Sequence, residues 1–194
     1  TALADGPHAL AARALDAAGN AGTSASVAIE VTNGGSVSAL ETFSAGAGPD
    51  NPGWSLGGWT LDAARDATGT AGSRSLAGAS APSFGTVTRT ASWAGLALGS
   101  APALRYARQL SLSGANLAAS ASFRVVVNDG VDHTVDSRSI GGLASAIESS
   151  WTPREVDLSP YAGKTVTLKF VVTATDPLSI LTSARAWVDQ IQVE

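Results

Sequence analysis

Apolar and polar side chains alternate along most of the second half of the chain. Val166, Leu168, Phe170 and Val172 alternate with Thr167, Lys169, Val171 and Thr173, the pattern of a strand with one buried face. Phe123, Val125 and Val127 repeat it, and Asn128-Asp129-Gly130 then supplies residues that tolerate positive φ at a reversal. Leu104, Tyr106, Leu110 and Leu112 share one parity, with Arg108 between them. In the last segment Trp187, Asp189, Ile191 and Val193 fall on one face, unless a bulge interrupts the period. The alanines are interleaved with Ser, Thr and Val and keep no 3.6-residue period, so few helices are expected. Short strands bounded by Gly, Pro, Asn and Asp predict an all-β chain built as an antiparallel two-sheet sandwich.

Composition then narrows the function classes. The chain has 194 residues, 44% of them hydrophobic and only 14% charged, which is too apolar for a disordered tail. No apolar run approaches the roughly 18 residues of a membrane span, so no membrane insertion is expected. A net charge of −4 offers no basic face to nucleic acid. With no cysteine there is neither a disulfide framework nor a thiolate nucleophile or metal ligand. A first residue of Thr and the lack of any Met give the expectation of a processed product or an excised piece.

Two segments of different character follow one another. Residues 1–33 run through Leu3-Ala4-Asp5-Gly6-Pro7-His8-Ala9-Leu10, a turn at Asp16-Ala17-Ala18-Gly19-Asn20, and the strand Ser26–Asn33. This resembles the closing strands of a bacterial immunoglobulin-like repeat, and a lone hairpin of this kind needs support from elsewhere. Gly34-Gly35-Ser36 reads as a short flexible joint. Residues 37–194 are long enough to bury about two-thirds of their surface. Their end carries Trp151, then Val156-Asp157-Leu158-Ser159-Pro160-Tyr161-Ala162-Gly163-Lys164-Thr165-Val166, then Trp187-Val188-Asp189-Gln190-Ile191. Together with Leu40–Phe43 and Gly58-Trp59-Thr60, these residues resemble the galactose-binding-like jelly-roll modules, MAM-like ones included, of secreted bacterial glycosidases, lyases and peptidases. Gln190 departs from the pattern, since many relatives carry a second Asp there.

The resemblance implies a non-catalytic carbohydrate-binding or targeting module, secreted or at the cell surface, covalently joined to upstream domains. The competing expectation is a structural spacer or cap of an adhesin or peptidase, with no glycan ligand. The resemblance also implies a structural Ca²⁺. Glu41 shares the parity of Phe43, and Asp189 that of Ile191 and Val193, and carboxylates on a core-facing parity are costly unless paired or metal-bound. The open alternative pairs Asp189 with an arginine, or lets a bulge turn it to solvent.

Of the tryptophans, Trp59, Trp151 and Trp187 sit in strand-like contexts and are expected in the core, whereas Trp54 and Trp93 lie near turn-rich sequence and are expected at the surface. A sugar stacked on an exposed indole buries about 80 Å², worth on the order of 2 kcal/mol. Trp54 and Trp93, backed by Arg124, are therefore the expected ligand-binding residues. Gly53-Trp54-Ser55-Leu56-Gly57 is a literal G-x-S-x-G, but neither a strand before it nor a helix after it is expected, so no nucleophile elbow is assigned. The group Asp129, Asp132, His133 and Asp136 is read as a solvated hairpin, because adjacent strand residues point to opposite faces.

Overall fold

The computed structural model describes residues 6–31, 39–44, 48–178 and 181–194, and the chain divides into two compact units, Thr1–Gly35 and Ser36–Glu194. In the first unit β1 (Gly6–Leu10) pairs antiparallel with β4 (Val27–Val31), and β2 (Arg13–Leu15) with β3 (Ala21–Thr23). The Asp16 carboxylate builds the turn between β2 and β3 by accepting the N–H groups of Ala18 and Asn20 and the Asn20 side-chain amide. None of the described side chains of this unit is buried, so these strands enclose no core of their own. The joint expected at Gly34–Ser36 lies outside the described residues.

The second unit is an all-β, two-sheet antiparallel sandwich. Its first strands are short: β5 (Ala39–Glu41), β6 (Trp54–Ser55), β7 (Thr60–Asp62) and β8 (Ser75–Ser80). Long strands follow: β9 (Gly85–Ala97), β10 (Ala103–Ser113), β11 (Ser120–Asn128) and β12 (Asp132–Gly141). After β13 (Ser145–Ile147) and β14 (Thr152–Asp157), β15 (Thr165–Asp176) and β16 (Ser183–Val193) close the fold. One sheet runs β13-β10-β16-β8-β7, with β14 also paired to β10 and β5 to β16; the other runs β12-β11-β15-β9-β6. Among the described residues the only helical piece is one 3₁₀ turn at Ser159–Tyr161.

Alternation decides what lies between the sheets. Val166, Leu168, Phe170 and Val172 of β15 and Phe123, Val125 and Val127 of β11 are all buried, as their period requires. Leu104, Tyr106, Leu110 and Leu112 of β10 face them, and Arg108 is buried among them. On β16 the period breaks. Ala184, Ala186 and Val188 point into the core, then Ile191 and Val193 do, so the inward parity changes between Val188 and Ile191. The extra residue sits where the pairing with β10 shifts between Arg105 and Ala107, and Gln190 absorbs it at φ 51°. Trp187 therefore points outward, away from the parity of Ile191 on which it was expected.

Candidate functional site

The structure does not assemble the expected trio of Trp54, Trp93 and Arg124, and this corrects the expectation that both indoles are exposed. Trp93 is 3% exposed and follows Ala91 inward on β9. The segment after Pro52 forms β6 and pairs with β9, which sets Trp54 directly opposite Trp93. The two rings stack at 5.2 Å, and Trp54 also packs on Phe170 and meets Phe43 edge-on. The Trp93 indole N–H donates to the Pro52 carbonyl, 3.1 Å away, so the turn-rich loop is fastened over the ring. Arg124 is exposed on the opposite surface of the same sheet. A sheet's thickness thus separates the cation from both indoles.

Two tryptophans expected in the core, Trp151 and Trp187, are only half-buried, and Trp187 points to the outer surface of its sheet. It stands beside a groove of about 320 Å³ on the outer face of the β13-β10-β16-β8-β7 sheet. Gln109 and Ser111 of β10 form the floor; Trp187, Arg65 and Arg185 form one wall, and Ile147, Glu148 and Ser149 the other. The Trp187 indole N–H donates to Asp62, and the Arg65 guanidinium lies 4.1 Å over the ring. Arg65 also donates to the Gln109 side-chain oxygen, whose amide in turn donates to the Glu148 carbonyl. This chain of contacts holds wall and floor in one geometry. The sequence carried a signal for it: Arg185, Trp187 and Asp189 share the polar parity opposite Ala184, Ala186 and Val188, so a shift of period had to follow before Ile191.

Glu41 and Asp189, the expected metal ligands, are both fully buried. Glu41 accepts the N–H groups of Phe43, Asp50 and Asn51. Asp189 accepts those of Ala67 and Gln190, not an arginine. Burial pushes the Asp189 carboxyl up; the two N–H donors pull it back, and the charges of Asp66 and Glu41 push it up again, leaving it above its usual 3.8. Among the described residues no three His, Cys, Asp or Glu side chains gather as a metal set, so an ion held by this pair would need carbonyl oxygens to complete its shell.

Ser55 of the G-x-S-x-G sequence lies on β6, at one edge of its sheet, while His133 lies on β12 at the other edge, four strands and about 19 Å away. Positive φ at Gly53 and Gly57 makes the segment a glycine turn, and a Cβ at Gly57 would strike the Thr90 carbonyl. His133 pairs with Asp129 at 3.2 Å on the exposed hairpin, and Lys164 and Lys169 pair with Asp129 and Asp132. Asp136 instead points between the sheets. It accepts from the Tyr106 hydroxyl, from Arg108 at 3.2 Å and from Arg154 at 3.0 Å, and Glu148 holds the other side of Arg108. This network closes the open edge of the sandwich; Arg108 on the inward parity was its only sequence sign.

No family model and no curated protein matches the chain. Solved structures do. The K1 cleaved adhesin domain of Lys-gingipain from Porphyromonas gingivalis W83 superposes with a TM-score of 0.51 at 16% identity, over 81% of this chain and 98% of that one. The K3 adhesin domain of the same protein gives 0.51 at 14% identity, over 80% and 97%. A structure of carbohydrate-binding modules of promiscuous specificity from the β-sandwich superfamily gives 0.50 at 13% identity, over 98% and 75%. At these identities the likeness is one of fold: the chain has the β-sandwich architecture shared by carbohydrate-binding modules and bacterial adhesin domains.

Proposed function

We propose that the chain is a non-catalytic carbohydrate-binding module that targets a larger secreted or surface bacterial protein to a glycan. The observation that carries this reading is the outward Trp187 set over Gln109 and Ser111. A sugar has an apolar face for an indole edge or ring and hydroxyls for an amide and a serine, and the groove supplies both in a fixed arrangement. The β-sandwich likeness to carbohydrate-binding modules supports it. Trp187→Ala and Gln109→Ala are each expected to weaken polysaccharide retention in affinity gels by about tenfold, the ~1.4 kcal/mol of one lost contact. Folding of each variant is checked by its melting temperature. Retention unchanged in both would remove the groove from the reading. The adhesin-domain likeness favours a second reading, a spacer or cap with no glycan. A glycan array on which the wild-type chain binds nothing would select it.

Glu41 and Asp189 are proposed to hold a structural Ca²⁺, supported by the burial of both carboxylates without a cationic side chain paired to either among the described residues. Such an ion would bind the carboxylates as hard oxygen donors. Chelator is then expected to lower the melting temperature and added Ca²⁺ to restore it, by about 2.7 kcal/mol at a hundred times Kd. The pH dependence has a definite sign. Without the ion, native Asp189 binds its proton more tightly than the unfolded chain does, so stability rises as pH falls from the raised native value toward 3.8. Saturating Ca²⁺ removes that rise. A melting temperature indifferent to chelator and Ca²⁺ at every pH would rule the ion out.

A further inference from the structure

The cations of the second unit fall into two classes. Arg105, Arg108, Arg154, Lys164 and Lys169 are each taken up by carboxylates. Arg65, Arg74, Arg89, Arg124, Arg138 and Arg185 have no carboxylate within ion-pair reach among the described residues, and of these Arg65 and Arg185 stand together in the wall of the Trp187 groove. Arg65 is held in place nonetheless. Trp187 lies under its guanidinium and Gln109 accepts one of its N–H groups at 3.0 Å, which leaves further donors of the planar fork unused. Arg185 stands two residues before Trp187 on the same face of β16, next to Ser111 of β10. The one acidic side chain in the groove, Glu148, pairs through Oε1 with the buried Arg108 at 3.2 Å, while its Oε2 is buried without a hydrogen-bond partner among the described residues. Across Ile147 and Glu148 a second hollow of about 460 Å³ carries Arg138, also without a carboxylate partner among the described residues.

We infer that the groove selects an acidic glycan, with a hexuronate residue placing its carboxylate on Arg65 and Arg185 and its ring against Trp187 and Ile147. This rests on the carbohydrate-binding reading above and narrows its ligand class. A guanidinium fixed by stacking, with no carboxylate of its own, matches a planar carboxylate in shape and charge and loses little freedom on binding it. The whole chain carries −4, so its overall field repels a polyanion, and attraction to one has to come from a local patch. The unpaired Arg138 in the adjoining hollow extends that patch in the direction a polymer would run.

The test measures binding of the full chain to polygalacturonate, to its fully methyl-esterified form, and to a neutral galactan. Polygalacturonate is expected to bind at least about tenfold more tightly than either neutral polymer, and to weaken as salt rises. Arg65→Ala and Arg185→Ala should each remove most of that preference, with the melting temperature kept because both side chains are exposed. Arg65→Lys should recover little, since a point charge cannot replace the fork. Equal binding of all three polymers through Trp187 overturns the acidic class while leaving the carbohydrate-binding reading in place. Polygalacturonate binding that survives the double Arg65→Ala, Arg185→Ala change overturns the groove as its site. A sulfated galactan, assayed beside them, that binds in place of polygalacturonate overturns the carboxylate assignment, and no binding to any glycan overturns both readings.

Discussion

Trp93→Ala is expected to cost the sandwich about 3–5 kcal/mol of stability, the range for emptying a large aromatic site in a packed core. The indole is 3% exposed, stacks on Trp54 at 5.2 Å, and fastens the Pro52 loop through its N–H. Its loss leaves a cavity beside Trp54, frees the Pro52 carbonyl, and removes the surface on which β6 is laid. For a domain of this size the melting midpoint should fall by roughly 10 °C. Urea or thermal unfolding reads the change directly. A loss below about 1 kcal/mol would mean that the ring is not a core element.

Asp136→Ala is expected to be comparably severe, for an electrostatic reason. The side chains of Asp136 and Arg108 are each only 7% exposed. Removing the carboxylate leaves the Arg108 guanidinium with Glu148 as its remaining partner and the Tyr106 hydroxyl without its acceptor, a loss toward the lower end of about 3–5 kcal/mol. Replacing the pair together by apolar residues, Arg108→Met with Asp136→Leu, should recover only the part of that loss that comes from the buried guanidinium, because Tyr106 still lacks its acceptor and Glu148 loses Arg108. The wild-type network also has a pH signature. Burial pushes the Asp136 carboxyl up, but hydrogen bonds from Arg154 and Tyr106 and the charges of Arg108 and Arg154 outweigh it, so the carboxyl sits below its usual 3.8. The unfolded chain therefore binds the proton first. The stabilisation is complete above 3.8 and is lost as pH falls through the lowered native value. In Asp136→Asn that acid limb should be missing from the curve of melting temperature against pH. An unaltered limb would place the acid-sensitive group elsewhere.

Tyr106 sits at the centre of the same network, and its own ionisation is suppressed: burial and the adjoining Asp136 charge push the phenol far above its usual value. It stays a hydrogen-bond donor to Asp136 across the ordinary pH range. The acid limb therefore reports the carboxylate and not the phenol.

Local alternation was enough to read the inward faces of β10, β11 and β15, because a half-buried strand writes its burial into every second residue. It was also enough to exclude a nucleophile elbow at Ser55, because that device needs a strand and a helix the flanking residues do not form. Trp54 and Trp93 went wrong for a physical reason. A turn-rich neighbourhood says that the chain reverses, not what it folds back onto, and here the reversal lays β6 against β9 and closes the ring pair inside.

What the amino-acid order determined by itself is the class of the fold and the identity of most of its core, since both follow from periods that span only a few residues. The placement of Trp187 was decided one step beyond that, by a single extra residue at Gln190 that exchanges the two faces of β16 midway. The groove is a tertiary product entirely. Arg65, Gln109, Glu148 and Arg185 are far apart in the chain and acquire a common geometry only when β16 pairs with β10 and the loop after β7 lies over the sheet. So is the state of the buried acids. Asp136 is held low by three partners and Asp189 is pushed up by burial, with two like charges adding to it, and no short-range pattern distinguishes them, because the charge on a carboxylate answers to what long-range pairing brings around it.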